Sequence, residues 1–127
     1  MKNVELDKIF GGNTPKDTVE KAIKYDTDKP RTELLPMNPL LEISEVFTFG
    51  AIKYSSWNWC NGFTYSRLLG SLLRHIFLWA AGEDFDKESQ KSHLAHAGCC
   101  LLMLMDTVRL YPENDDRQHT FLSKDKK

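Results

Sequence analysis

The sequence predicts an all-α helical bundle, and three observations carry that reading. Apolar residues recur at helical spacing in three segments, no stretch of convincing length alternates with period two, and proline, glycine and asparagine stand where helices would begin and end. At 127 residues the chain has the length of one domain, and folding would bury roughly two thirds of the surface of the unfolded chain.

Residues 1–23 are polar and weakly patterned, with at most a short helix after Thr14-Pro15. Lys24 to Pro36, "KYDTDKPRTELLP", holds two prolines and alternating charges and reads as an ordered, irregular lead-in. Asn38 is expected to cap a first helix with Pro39 at its first position, and Leu40, Ile43 and Phe47 form its core stripe, with Gly50 ending or loosening it. A loop from Ser55 to Thr64, with a turn at Asn61-Gly62, precedes a second helix from about Tyr65 to Ala81. Its apolar face runs through Leu68, Leu69, Leu72, Leu73, Ile76, Phe77 and Ala80, its polar side carries Arg67, Ser71, Arg74 and His75, and Gly82 stands at the cap. The acidic loop "GEDFDKES" leads to a third helix from about Gln90 to Tyr111. Between Ala95 and Met105 this helix is apolar nearly all round, which predicts enclosure in a bundle or at a subunit contact. Pro112 ends it, and the charged segment 112–127 is expected to be a flexible tail. The expected organisation is thus a weakly structured segment 1–23, a helical domain 24–111 and the tail.

The net charge of −1 and a pI near 6.4 leave no basic footprint for a nucleic-acid backbone. No apolar run approaches the ~18 residues of a membrane span, and the first residues, MKNVELDKIFGG, lack the apolar core of a signal peptide. Three cysteines cannot all pair within the chain, so a cytoplasmic protein is expected.

Glu42 and Glu45, three positions apart on one helical face, can share a hard divalent cation, although a solvated helix face explains the same spacing. Arg67, Ser71, Arg74 and His75 make a cationic stripe suited to phosphate oxygens, with Lys53, Lys29 and Arg31 flanking the first helix. Glu83, Asp86 and their neighbours offer a second carboxylate cluster. His93, His96 and Cys100 form an i, i+3, i+7 stripe that could hold a transition metal but lacks the usual zinc-site spacing, and hydrogen-bonded core histidines explain it better. There is no adjacent His-Asp pair, no GxxxxGK[ST] loop and no GxSxG elbow, which removes HD-type, P-loop and serine-hydrolase chemistry.

In order, "KYDTDKPR", "FGAIKY", "NW", "RH", "GEDFD" and "HLAHAGCCLL" resemble the small phage and bacterial dATP/dGTP diphosphohydrolases, grouped with the MazG/HisE-like all-α nucleotide pyrophosphohydrolases. The resemblance spans about Lys24 to Val108 and implies a MazG-like bundle assembled as a homodimer or homotetramer. It further implies Mg²⁺-dependent hydrolysis, with Mn²⁺ as a substitute, of a purine deoxynucleoside triphosphate to monophosphate and pyrophosphate. Glu42 and Glu45 match the ExxE helix of the superfamily. The third helix departs from it, carrying His93-x-x-His96 where ExxD is common, so that Asp86 with Glu83 supplies the remaining carboxylates or the histidines replace them. On this resemblance Glu42, Glu45 and Asp86 are catalytic metal ligands with Glu83 beside them. Lys53, Arg74 and His75 contact phosphates, Lys29, Arg31 and His93 are further substrate contacts, and Trp57 and Asn58 meet the base. The alternative is a catalytically inactive protein that sequesters a signalling nucleotide.

Overall fold

The computed structural model describes residues 21–124, in a chain that divides into two units, Met1–Thr32 and Glu33–Lys127. Most of the expected weakly structured segment 1–23, including the helix after Thr14-Pro15, lies outside the described residues. Within the first unit the Lys29 amide donates to the Asp26 carbonyl at 3.0 Å, closing a turn beside Pro30. Lys29 and Arg31, two of the expected substrate contacts, belong to this unit.

The second unit is all-helical: α1 spans Met37–Lys53, α2 Tyr65–Ala80, α3 His93–Leu110 and α4 Gln118–Lys124. Among the described residues there is no strand, only an isolated antiparallel bridge between Phe85 and Ser92. Helix α3 is central, packing most extensively on α2 and next on α1. No helix among the described residues is long and apolar enough to cross a membrane.

Helix α1 begins one residue before the expected cap. Pro36, extended at φ −70° and ψ 114°, stands at the capping position and its carbonyl accepts from the Leu40 amide, which places Asn38 inside the first turn. The core stripe is also shifted. Val46 is buried with Ala95 and Cys99 of α3, Ile43, Phe47 and Met103 pack on them, and Leu40 is exposed. Small residues on α3 let α1 approach closely: a Cβ on Gly98 would stand 2.6 Å from Ile43 Cδ1.

Helix α2 ends as its glycine predicts. The Glu83 amide reaches the Leu78 carbonyl and the Gly82 amide the Trp79 carbonyl, both at 3.0 Å, with Gly82 left-handed at φ +102°. These two bonds are the Schellman pattern that satisfies the last carbonyls of a helix. Of its expected apolar face only Leu68 is buried, while Phe77 is 65% exposed. Helix α3 starts three residues later than its periodicity indicates, because Gln90 adopts φ +63° and Ser92 takes the cap, accepting from the Leu94 and Ala95 amides.

The segment after Pro112 is tied down through residue 116. Asp116 accepts from both the amide and hydroxyl of Ser66 at the start of α2, Asn114 donates to the Phe63 carbonyl, and the Tyr111 hydroxyl donates to the Cys60 carbonyl. Polar side chains at sequence distances of about fifty residues make this anchor, so no local pattern announces it. All three cysteines are free, Cys60 exposed and Cys99 and Cys100 buried.

Candidate functional site

Helix α1, the Asn58–Asn61 turn, α2, the loop before α3, and α3 itself line a cavity of about 750 Å³. That volume falls in the range of small-molecule sites. The turn is unusual, since Trp57 holds a left-handed backbone at φ +64°, a conformation that costs a non-glycine residue roughly 1–2 kcal/mol. Its ring is 69% exposed and lies 5.5 Å from that of Trp59. Trp59 instead packs edge-on against Phe47 at 5.3 Å, so one tryptophan fastens the turn to α1 and the other is presented outward. Asn58, half-buried, lines the cavity beside them.

From α2, Arg67 and Arg74 also line the cavity. Arg67 lies over the Phe63 ring at 5.7 Å, and among the described residues neither guanidinium has a carboxylate within 4.0 Å. Lys53, at the end of α1, pairs with Glu88 at 2.7 Å, which raises its pKa. Five expected substrate contacts, Lys53, Trp57, Asn58, Arg74 and His75, thus line one cavity, as does Asp86.

The loop before α3 is built around Asp86. Its amide donates to the Lys91 carbonyl, and its carboxylate accepts from the amides of Glu88 and Ser89. Burial opposes ionisation of Asp86, but the Ser89 hydrogen bonds and the nearby His96 and His75 outweigh it and hold its pKa below the ordinary value.

Three histidines meet beside that loop. His75 of α2 stacks on His96 at 4.5 Å and 12°, and its Nδ1 is 2.9 Å from Nδ1 of His93. His93 is fully buried, and its Nε2 is 2.6 Å from the Glu83 carboxylate. His96 Nε2 is 2.6 Å from the Ser89 hydroxyl. Burial, then repulsion from His96 and His93, pushes the pKa of His75 down to about 4. Burial likewise lowers that of His96. Cys100 turns away toward the Ser71 hydroxyl, and burial raises its thiol pKa, while that of Cys99 is pushed up to about 12. The stripe His93, His96 and Cys100 therefore does not act as one donor set. Each side chain finds its partner on another element.

The expected carboxylates are distributed over different partners. Glu45 on the exposed side of α1 pairs with Lys91 at 3.1 Å, Glu42 is exposed on the same helix, and neither lines the cavity. Glu83 is taken up by His93 and, at 3.7 Å, by Lys87. Among the described residues, one set of three donors lies close enough to share an ion: His75, Asp86 and His93.

The family model described as dATP/dGTP diphosphohydrolase, N-terminal, matches residues 19–117. The chain belongs to that family. No curated protein and no solved structure matches it. The diphosphohydrolase match takes in all of α1, α2 and α3 and every cavity residue named above. Two site features lie outside the expected assignments: Arg67 of the α2 stripe lines the cavity, and Glu88, one of the acidic-loop carboxylates, neutralises Lys53. Arg67 is legible from its two-turn spacing to Arg74, which puts both on one face of the helix. Glu88 is not, because a salt bridge across 35 residues leaves no local pattern.

Proposed function

We propose that this diphosphohydrolase-family chain hydrolyses purine deoxynucleoside triphosphates, dATP and dGTP, to monophosphate and pyrophosphate. The observation that carries the reading is the grouping, around one cavity of about 750 Å³, of two guanidiniums that have no carboxylate partner among the described residues with an exposed, backbone-strained tryptophan. Arginine forks match phosphate oxygens, and an aromatic face stacks on a base while the Asn58 amide reads its edge. Lys53 becomes a further phosphate contact when Glu88 releases it.

Mg²⁺ asks for one or two carboxylates plus phosphate oxygens and water. Glu42 and Glu45, exposed and three residues apart on α1 outside the cavity lining, would hold such an ion once Glu45 leaves Lys91, and Mn²⁺ would take the same oxygens. Glu83 and Asp86 already accept hydrogen bonds from His93 and from the loop amides. When bound, the ion neutralises phosphate charge and activates water. The chain's residues hold the phosphates with Arg67 and Arg74 and orient the base at Trp57.

The test is chromatographic product analysis with Mg²⁺ and a panel of dNTPs and NTPs, with Glu45→Gln alongside. Monophosphate and pyrophosphate from dATP or dGTP, lost in the variant, is the expected result. A second reading, nucleotide capture without turnover, is favoured by the engagement of Glu45, Glu83 and Asp86 inside the protein. Tight binding of a nucleotide by a well-folded protein that turns none over would establish that reading and sink the first.

A further inference from the structure

His93 leaves one of its ring nitrogens in an awkward position. A carboxylate only accepts, so the 2.6 Å contact with Glu83 requires the hydrogen on His93 Nε2. In the neutral ring, the lone pair is then on Nδ1, which faces Nδ1 of His75 at 2.9 Å inside a fully buried setting. Two lone pairs at that distance repel, so something positive must lie between them: a proton on His75 Nδ1, or a metal ion.

The third donor favours the metal. A carboxylate oxygen of Asp86 lies within 4.8 Å of a ring nitrogen of each histidine but in ion-pair range of neither, so its side chain would turn inward by about an ångström to share an ion with them. Metal–nitrogen bonds of about 2.1 Å put two ligand atoms roughly 3.0 Å apart at a right angle and roughly 3.4 Å apart at a tetrahedral one. The observed 2.9 Å is within a few tenths of an ångström of the first figure. The three donors come from α2, the loop and the start of α3, so an ion there would add to the hydrogen bonds that already join these elements. Glu83 supplies the carboxylate behind a ligating imidazole that fixes its tautomer and orientation. Two imidazoles and one carboxylate suit zinc or ferrous iron, whereas Mg²⁺ prefers an all-oxygen shell.

We propose that His75, His93 and Asp86 form a site for one first-row transition-metal dication, oriented by Glu83 and separate from the Glu42/Glu45 pair on α1. The site does not rest on the hydrolase reading and is tested without activity.

The experiment uses chelator-stripped full chain carrying Cys60→Ser, which removes the exposed thiol, titrated with Zn²⁺ by calorimetry and followed by nitrogen NMR of the histidine rings. The expected result is one Zn²⁺ per chain, with Nδ1 of His75 and His93 shifting while the ring of His119 stays put. His75→Gln and Asp86→Asn should each weaken Zn²⁺ at least tenfold, whereas Glu42→Gln should leave it unchanged. Should those variants lose their native circular dichroism, the ring-nitrogen shifts of the parent chain decide alone. No stoichiometric Zn²⁺ uptake, or uptake that leaves both Nδ1 signals unmoved, would overturn the proposal and assign the short contact to a shared proton. Unchanged affinity in well-folded His75→Gln would overturn it equally.

Discussion

Acidification of the metal-free protein should weaken the fold through His75. The folded chain keeps this ring neutral down to about pH 4, because burial and then His96 and His93 disfavour its cation, while the unfolded chain titrates it near 6.5. Unfolding therefore takes up a proton between those two values. The contribution of the neutral ring is fully present above about pH 6.5 and is lost as the pH falls toward 4. A displacement of that size corresponds to at most about 3 kcal/mol. His75 is only partly buried and solvent screens its repulsions, so the expected loss is about 1–2 kcal/mol. Urea unfolding followed by circular dichroism, in chelator at about pH 7, 5.5 and 4.5, measures it. Every carboxylate also begins to titrate at the acid end, so the informative quantity is the difference from His75→Gln, which cannot gain the proton. The variant should lose about 1–2 kcal/mol less than the parent across the window. Equal losses would refute the assignment of a neutral, desolvated His75.

Trp57→Gly should change stability by no more than about 1 kcal/mol, because relief of the left-handed backbone offsets the lost ring contact. The same change should weaken purine nucleotide binding roughly 5- to 100-fold in calorimetry, and unaltered affinity would remove Trp57 from the base site. Ser92→Ala deletes the acceptor for the Leu94 and Ala95 amides and should cost about 1 kcal/mol in denaturant melts. Gly98→Ala drives a Cβ against Ile43, and overpacking of about 1–3 kcal/mol should exceed the helix-propensity gain of about 1 kcal/mol. Adding Ile43→Val, which removes the Cδ1 atom 2.6 Å away, should restore most of that loss. Phe77, Met105 and Ile52 are each more than 60% exposed, and light scattering should find a homodimer or homotetramer rather than a single chain.

Helix positions were legible because each depends on residues within a turn or two of one another. Gly82 stands where the end of α2 needs a left-handed residue, and Leu68 falls on the core face its neighbours' spacing allows, whereas on α1 burial centres on Val46 rather than on Leu40 of the expected stripe. Boundaries moved where a nearby backbone feature competed with periodicity: Pro36 took the start of α1 from Asn38, and the turn at Gln90 postponed α3 to Ser92. The anchoring of residues 111–116 was invisible, since it depends on Ser66, Phe63 and Cys60 being brought across about fifty residues.

The same division runs through the site. By itself the sequence determined an all-α chain with cationic, aromatic and acidic segments, because composition and short-range spacing encode those properties. Only the tertiary structure decided which of them meet. It set Arg67, Arg74, Trp57 and Asn58 around one cavity, engaged Glu45 with Lys91 and Lys53 with Glu88, and turned His93 from a member of a helical stripe into the partner of His75 and Glu83. Helical spacing fixes the direction of a side chain along its own helix. What that side chain reaches is fixed by how closely α3 packs on α1 and α2, which rests on the volumes of Gly98, Ala95 and Ala97.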